Sequence, residues 1–223
     1  MRVLRLDASI RVEGSVSRSL ADVVEQEWCR RCPEAEVVRR DLGREPLPPV
    51  WPDALAGAMA PDGSRTDAQR RATALAAELV DELVAADALL FAVPLYNFGI
   101  PQQVKHWIDL VITDPRAFDV DRPLLPGRPA VLVAARGGGY GPGTPRAGWD
   151  HGTPYLRRML VDVWGLDLRT AEAELTAAGT NPAMAHLEEL ARQRLAAARA
   201  AALAHAADVA EQLGATEAVA KVT

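Results

Sequence analysis

An α/β fold with a doubly wound parallel sheet is what this sequence predicts, on three observations. Residues 88–93 (ALLFAV) and 130–135 (AVLVAA) are unbroken apolar runs, the pattern of strands covered on both faces. Five strand-like stretches alternate with five helix-like ones along the chain, the order that crossover helices impose on a parallel sheet. The loops rich in hydroxyls, aromatics or glycine follow the first, third and fourth strands, and open α/β sheets bind ligands at the carboxyl ends of their strands. These loop positions select the strand order 2-1-3-4-5 with helices on both faces.

Residues 2–8 (RVLRLDA) alternate and form the first strand, which Ser9 ends. Ser15, Ser17 and Ser19 crowd the start of the next helix, with Ser15 or Ser17 as its N-cap and Leu20, Val23, Val24 and Trp28 on its apolar face. A helix start presents unpaired N–H groups and a favourable dipole to anions, about 0.3–1 kcal/mol per interaction. Hydroxyls beside it make a neutral phosphate cradle, although a heavily capped helix start has the same composition. The loop carries neither G-x-G-x-x-G nor GK[ST], so it is neither the usual dinucleotide fingerprint nor a Walker A loop. It suits one phosphate, as on a mononucleotide such as FMN. Cys29 and Cys32 form a C-x-x-C at the far end of this helix. A redox pair belongs at a helix start, and no second pair completes a zinc site, so two ordinary thiols are expected.

Residues 35–40 form the second strand, and 44–63, rich in proline and glycine, read as an irregular excursion. A helix over 66–86 should turn Leu75, Leu79, Leu83 and Val84 inward. The third strand, 88–93, ends at Pro94, which has no N–H for a ladder. Leu95 to Gly99 form a loop, and Pro101 opens a helix whose Val104, Trp107, Ile108 and Val111 share one face. Tyr96, Asn97 and Phe98 suit a flat ring with polar edges, and equally a well-packed turn.

A long loop over 113–128 carries Phe118. The fourth strand, 130–135, runs into Arg136-Gly137-Gly138-Gly139-Tyr140, whose glycines leave backbone amides bare. A helix over 150–163 and a fifth strand within 166–175, expected to be the most exposed edge, follow. An alanine-rich helix over 182–213, carrying Leu187, Leu190, Leu195, Leu203, Val209 and Leu213, should cover one sheet face.

The 223 residues are expected to form one domain spanning 1–223. A net charge of −5 and a pI near 5.4 argue against a nucleic-acid partner. No apolar run is long enough to span a membrane and the start lacks the features of a signal peptide, so a cytoplasmic protein is expected. No G-x-S-x-G elbow marks a serine hydrolase.

The stretch PLYNFGIPQQVKHWIDLV, with ADALLFAVP before it, ARGGGY, the Ser9…Ser15-Val16-Ser17 loop and Tyr155-Leu156-Arg157, resembles the FMN-dependent NADH-azoreductases, flavodoxin-like enzymes that also reduce quinones. The resemblance implies a flavodoxin-like three-layer sandwich. Ser9, Ser15, Val16 and Ser17 would hold the FMN phosphate. Pro94, Leu95, Tyr96, Asn97 and Phe98 would line the ring, and Arg136, Gly137, Gly138 and Gly139 would approach its pyrimidine end. NADH or NADPH would be the reductant and a quinone or azo compound the acceptor, in a ping-pong sequence. Family members are homodimers with the flavin at the interface, so Phe118 would shape the partner's pocket. No catalytic side chain and no metal is expected; His151 and Tyr140 are the nearest groups that could give the acceptor a proton. Ala135 replaces the family's hydroxyl, Leu95 its methionine, and loops 113–128 and 139–149 differ from the usual ones. Two other classes stay open: a reductase for one biosynthetic substrate, and a flavin-binding electron carrier or redox regulator.

Overall fold

The computed structural model describes the backbone of residues 1–61 and 63–220, and side chains through 215. Strands β1 (Arg2–Asp7), β2 (Glu36–Asp41), β3 (Ala88–Pro94), β4 (Pro129–Ala135) and β5 (Asp167–Ala173) form one parallel sheet in the order β2-β1-β3-β4-β5. The described helices are α1 (Val16–Arg31), α2 (Trp51–Met59), α3 (Asp67–Ala85), α4 (Gln102–Val111), α5 (Gly152–Arg157) and α6 (Glu188–Ala220).

The period of two along a strand divides the core into two layers. Leu89, Phe91, Val93 and Leu132 face a cluster with Leu79 and Leu83 of α3 and Trp107 and Ile108 of α4. Trp107 meets Trp164 edge-on with ring centroids 5.5 Å apart, and Phe91 lies 6.2 Å from Trp107. Ala88, Leu90, Ala92, Val131 and Val133 face the other cluster, with Leu20, Val24 and Trp28 of α1 and the small residues of α6. The two apolar runs are therefore buried along their whole length, as covered parallel strands must be.

Several sequence expectations are corrected. The 44–63 excursion contains α2, which Pro52 and Asp53 start and which buries Ala54 and Gly57. A Cβ on Gly57 would stand 2.8 Å from Thr73 Cγ2, so glycine is what lets α2 lie against α3. On α3, Val84 is exposed and Leu75 half-buried, because Ala72, Ala76 and Val80 complete the inward face. The β3 strand includes Pro94: it needs no N–H there, and Leu95 N–H takes up the next bond, to Ala135 O at 2.8 Å. The 150–163 helix widens into a π-turn over Arg158–Val163, which brings Met159, Leu160, Val163 and Trp164 all into the core. The most exposed edge is β2, which has no buried residue, whereas β5 buries Ala171 and Ala173.

Helix α6 covers the sheet mainly through small residues, with Leu213 packed at the edge of the same cluster. Ala198, Ala202, Ala206, Val209 and Ala210 are buried, while Leu190, Leu195 and Leu203 remain 40%, 40% and 47% exposed. A large side chain, Trp28, already fills this layer and donates its indole N–H to Ala206 O at 3.0 Å. Only small residues allow α6 to approach that closely. Ala202→Leu should therefore cost about 1–3 kcal/mol by overpacking, and Leu203→Ala less than about 0.5 kcal/mol. Urea-unfolding midpoints of the two variants measure the difference.

Candidate ligand site at the carboxyl edge of the sheet

The three central strands end at one edge and deliver three loops: Ser9–Ser15 after β1, Leu95–Gly99 after β3 and Arg136–Gly139 after β4. Ser15 is the N-cap of α1, its hydroxyl 3.4 Å from Arg18 N, and Ser17 Oγ lies 3.2 Å from Ser15 Oγ. Ser9, Ser15 and Ser17 are all buried. Among the described residues, the N–H groups of Gly14, Val16 and Ser17 have no acceptor. That is an anion cradle with its donors available.

The cradle is held by a network of charges. Arg18 donates to Ser9 O (2.8 Å) and to both carboxylate oxygens of Asp41 (2.6 and 2.7 Å). Asp41 Oδ1 also accepts from Gly43 N and Arg44 N. Below it, buried Arg5 is paired with buried Asp7 through two contacts (2.8 and 3.1 Å) and reaches Asp22 and Glu25 on α1. A Cβ on Gly43 would fall 2.1 Å from Ser9 O, so only glycine fits. Arg18, Asp41 and Gly43 carry no local signal in the sequence; their separation along the chain hides a contact that exists only once β1 and β2 are paired.

Tyr96 reaches across from β3. Its hydroxyl accepts from Ile10 N–H at 3.2 Å and lies 3.4 Å from Ser9 Oγ. Gln103 at the start of α4 donates to Ala8 O at 2.8 Å. Tyr96 and Gly99 exchange backbone hydrogen bonds of 3.0 and 2.9 Å around Asn97 (φ 48°) and Phe98 (φ 68°). Asparagine tolerates the left-handed region; phenylalanine there costs about 1–2 kcal/mol. The neighbouring loop over 140–151 holds the turn in place. His151 N–H donates to Phe98 O at 2.8 Å, and the Phe98 ring meets Trp149 and Tyr140 edge-on at 5.3 and 6.2 Å. The His151 backbone is what participates; its side chain is exposed.

After β4, Arg136 is buried and the two terminal nitrogens of its guanidinium are hydrogen-bonded, while Nε has an ion-pair contact without a hydrogen bond. It donates to both oxygens of Glu172 (2.9 and 2.8 Å) and to Thr153 Oγ1 (2.8 Å), with Nε 2.7 Å from Asp150 Oδ2. Its backbone is committed too: the N–H donates to Ala173 O (2.8 Å), and the carbonyl accepts from Thr176 N (3.0 Å) and Oγ1 (3.1 Å). The carbonyls of Gly137 and Gly138 accept from Ala177 N (3.2 Å) and Leu175 N (3.1 Å), while the amides of Gly137, Gly138 and Gly139 have no acceptor among the described residues. Pro94 and Ala135 close the floor as register partners.

The remaining sequence candidates lie elsewhere. His106 Nε2 bonds Pro48 O at 2.9 Å, Phe118 is exposed, and Cys29 and Cys32 are half-buried free thiols. No group of three metal-ligating side chains occurs among the described residues, and no helix there is long and apolar enough to cross a membrane.

A family profile of the flavodoxin-like fold matches residues 1–209. A relative from Streptomyces avermitilis, an FMN-dependent NADH:quinone oxidoreductase, is 36% identical over 214 residues, covering 96% of this chain and 99% of its own. One of the same name from Xanthobacter autotrophicus is 43% identical over 163 residues, 71% of this chain and 78% of its own. Among solved structures, azoreductase AzrA superposes with a TM-score of 0.79 at 25% identity, over 93% of this chain and 100% of its own.

The cradle's charge network makes stability depend on pH. Burial resists ionisation of Asp41, but the Arg18 bonds and the amides of Arg44 and Gly43 outweigh it and hold the carboxyl below the usual range. A lowered carboxylate pKa stabilises the fold above the ordinary value and stops doing so as pH falls through the folded value. Arg18→Gln should cost about 2 kcal/mol at neutral pH, and the deficit should shrink as pH falls below the ordinary carboxylate range and Asp41 is protonated, leaving the part due to the Ser9 O contact. Unfolding curves of both proteins across that range test this.

Proposed function

The chain belongs to the flavodoxin-like family that includes the FMN-dependent NADH:quinone oxidoreductases, and on that premise we propose that it is a one-domain, cytoplasmic enzyme that uses FMN and NADH to reduce quinones or aromatic azo compounds. The observation that carries this reading is the pairing of two sets of unclaimed backbone donors, Gly14–Ser17 and Gly137–Gly139, on either side of the Tyr96–Gly99 turn. The first set suits a phosphate, the second the electron-rich pyrimidine edge of a flavin, and the turn a flat ring between them.

The residues present fit FMN. Ser9, Ser15, Val16 and Ser17 would take its phosphate, Pro94 to Phe98 would line the ring, and the free amides of Gly137, Gly138 and Gly139, next to Arg136, would hold its pyrimidine end. Bound FMN would supply the two-electron chemistry, accepting hydride from NADH and delivering the electrons to the acceptor after NAD⁺ has left. The chain's own contribution is geometric and electrostatic. The neutral cradle anchors the phosphate. The Gly137–Gly139 amides hold negative charge where it develops, and fixed amides need no reorganisation to do so. The bonds of the Arg136, Gly137 and Gly138 backbone to the 173–177 segment fix the direction of those amides, and Glu172 and Thr153 secure the Arg136 side chain beside them.

A homodimer is part of the proposal. Trp51, Leu55 and Met59 stand at i, i+4, i+8 on the face of α2 turned away from α3, and Met59 is 80% exposed. Phe118 and Val120 are also exposed, at 62% and 59%. A second copy covering these residues would remove an apolar surface uncommon on a monomer.

Gly138 separates folding from ligand binding. A Cβ there would meet only side-chain atoms of Tyr140 and Arg146, at 3.6–3.7 Å. Gly138→Val should therefore fold with an unchanged melting temperature and yet lose FMN, since the branched side chain occupies the approach to the amides. Flavin absorbance after desalting reads the loss. A Val variant that retains a full complement of FMN would overturn the assignment. In the wild-type protein, NADH without acceptor under anaerobic conditions should bleach the flavin, and quinone should restore it.

A further inference from the structure

Within the loop that supports the Phe98 turn, one cation has no counter-charge. The Arg146 guanidinium carbon lies 5.8 Å from the centroid of the Phe98 ring, and Nη1 comes within 3.7 Å of the Cβ position of Gly138. It thus stands between the aromatic turn and the glycine loop. Among the described residues it forms no ion pair, although Asp150 belongs to the same loop and Glu172 and Glu174, at the end of β5, bond Arg136 and Tyr140. Each of those is committed elsewhere. Asp150 is held by Arg136 and by the amides of Gly152 and Thr153. Glu172 is chelated by Arg136, and Glu174 accepts from Tyr140 N–H at 2.8 Å.

An arginine stacked on an aromatic face keeps its edge donors free for an oxyanion. We propose that Arg146 is a specificity-determining residue that recognises an anionic group (carboxylate, sulfonate or phosphoryl) on the molecule entering above the glycine loop. This rests on the functional reading above and extends it to the substrate class. The FMN phosphate is not that anion, because its cradle lies on the β1 side. Two sources share the chemistry: an acidic substituent on the aromatic acceptor and the pyrophosphate of NADH.

Steady-state kinetics of the FMN-loaded wild type, Arg146→Gln and Arg146→Lys separate these sources, using a neutral naphthoquinone and its ring-sulfonated counterpart. With the acceptor as the source, Arg146→Gln raises the KM for the sulfonated quinone about 3- to 10-fold relative to the neutral one, the range of an exposed to partly desolvated charged contact. Arg146→Lys recovers most of it, and about 0.5 M salt erases the difference. With the reductant as the source, the KM for NADH rises by that factor whichever quinone is used, and the proposal holds with NADH as the ligand. No change in either KM overturns it. Naphthalene-2-sulfonate, titrated against tryptophan fluorescence, reads the acceptor-side contact without turnover. Should the wild type fail to oxidise NADH, the functional reading fails, and equal affinities of wild type and Arg146→Gln for this probe then overturn the role of Arg146.

Discussion

The Arg18 guanidinium is the interaction on which the site's geometry depends. It joins the carbonyl that ends β1 to the carboxylate that ends β2, from the first turn of α1. Arg5 and Asp7 continue the network into the sheet. Burying so many charges is not a route to high stability, since a well-packed apolar cluster of equal volume would serve as well or better. What the network supplies is direction. Ser9 O is fixed by Arg18 and by the close approach of Gly43, so the loop beyond it turns with its remaining N–H groups pointing away from the protein. A cradle for an anion needs that outcome, and hydrophobic packing has no means of specifying it.

The β4 side uses the same division of labour. The Arg136 side chain secures the end of the sheet to β5 and α5, and the adjacent glycines bind their carbonyls to the 175–177 segment. Their amides are left over, and this is why the residue next to a ligand loop can matter without touching the ligand. The Tyr96–Gly99 turn sits between the two loops and stores strain at Phe98, offset by the 140–151 loop that packs on it. A left-handed phenylalanine persists only where its surroundings over-determine it. The supporting loop and the site surface are therefore one unit, and a change in the former alters the latter.

Much of this was legible in the chain. The apolar runs, the alternation of strands and helices and the positions of the loops led to the observed strand order, because burial on both faces leaves a local signature and connection rules prune the alternatives. The serines, the Tyr96–Phe98 turn and the triple glycine come together at one edge of the sheet, as expected. Helix α6 shows where that reading fails. Its large apolar residues suggest the buried stripe, and Val209 and Leu213 do pack on the sheet, yet Leu190, Leu195 and Leu203 are exposed and alanines make most of the contact. Hydrophobicity ranks side chains by their gain on burial, whereas the space beneath α6, already occupied by Trp28, admits only small ones. Helix α2 was hidden for a related reason: its proline and glycine read as breakers, but one starts the helix and the other seats it on α3.

The sequence by itself determined the five strands, their order in the sheet and the loops that meet at its edge, since these follow from short-range periodicity and turn chemistry. Only the tertiary structure decided which polar groups are spent and which remain free. Arg18 and Arg136 are consumed by Asp41 and Glu172, while Arg146 is left without a carboxylate, and nothing in the spacing of these residues distinguishes them. The physical reason is that an ion pair or a hydrogen bond depends on distances of a few ångströms between groups far apart in the chain, and those distances exist only after the sheet has brought its strand ends together.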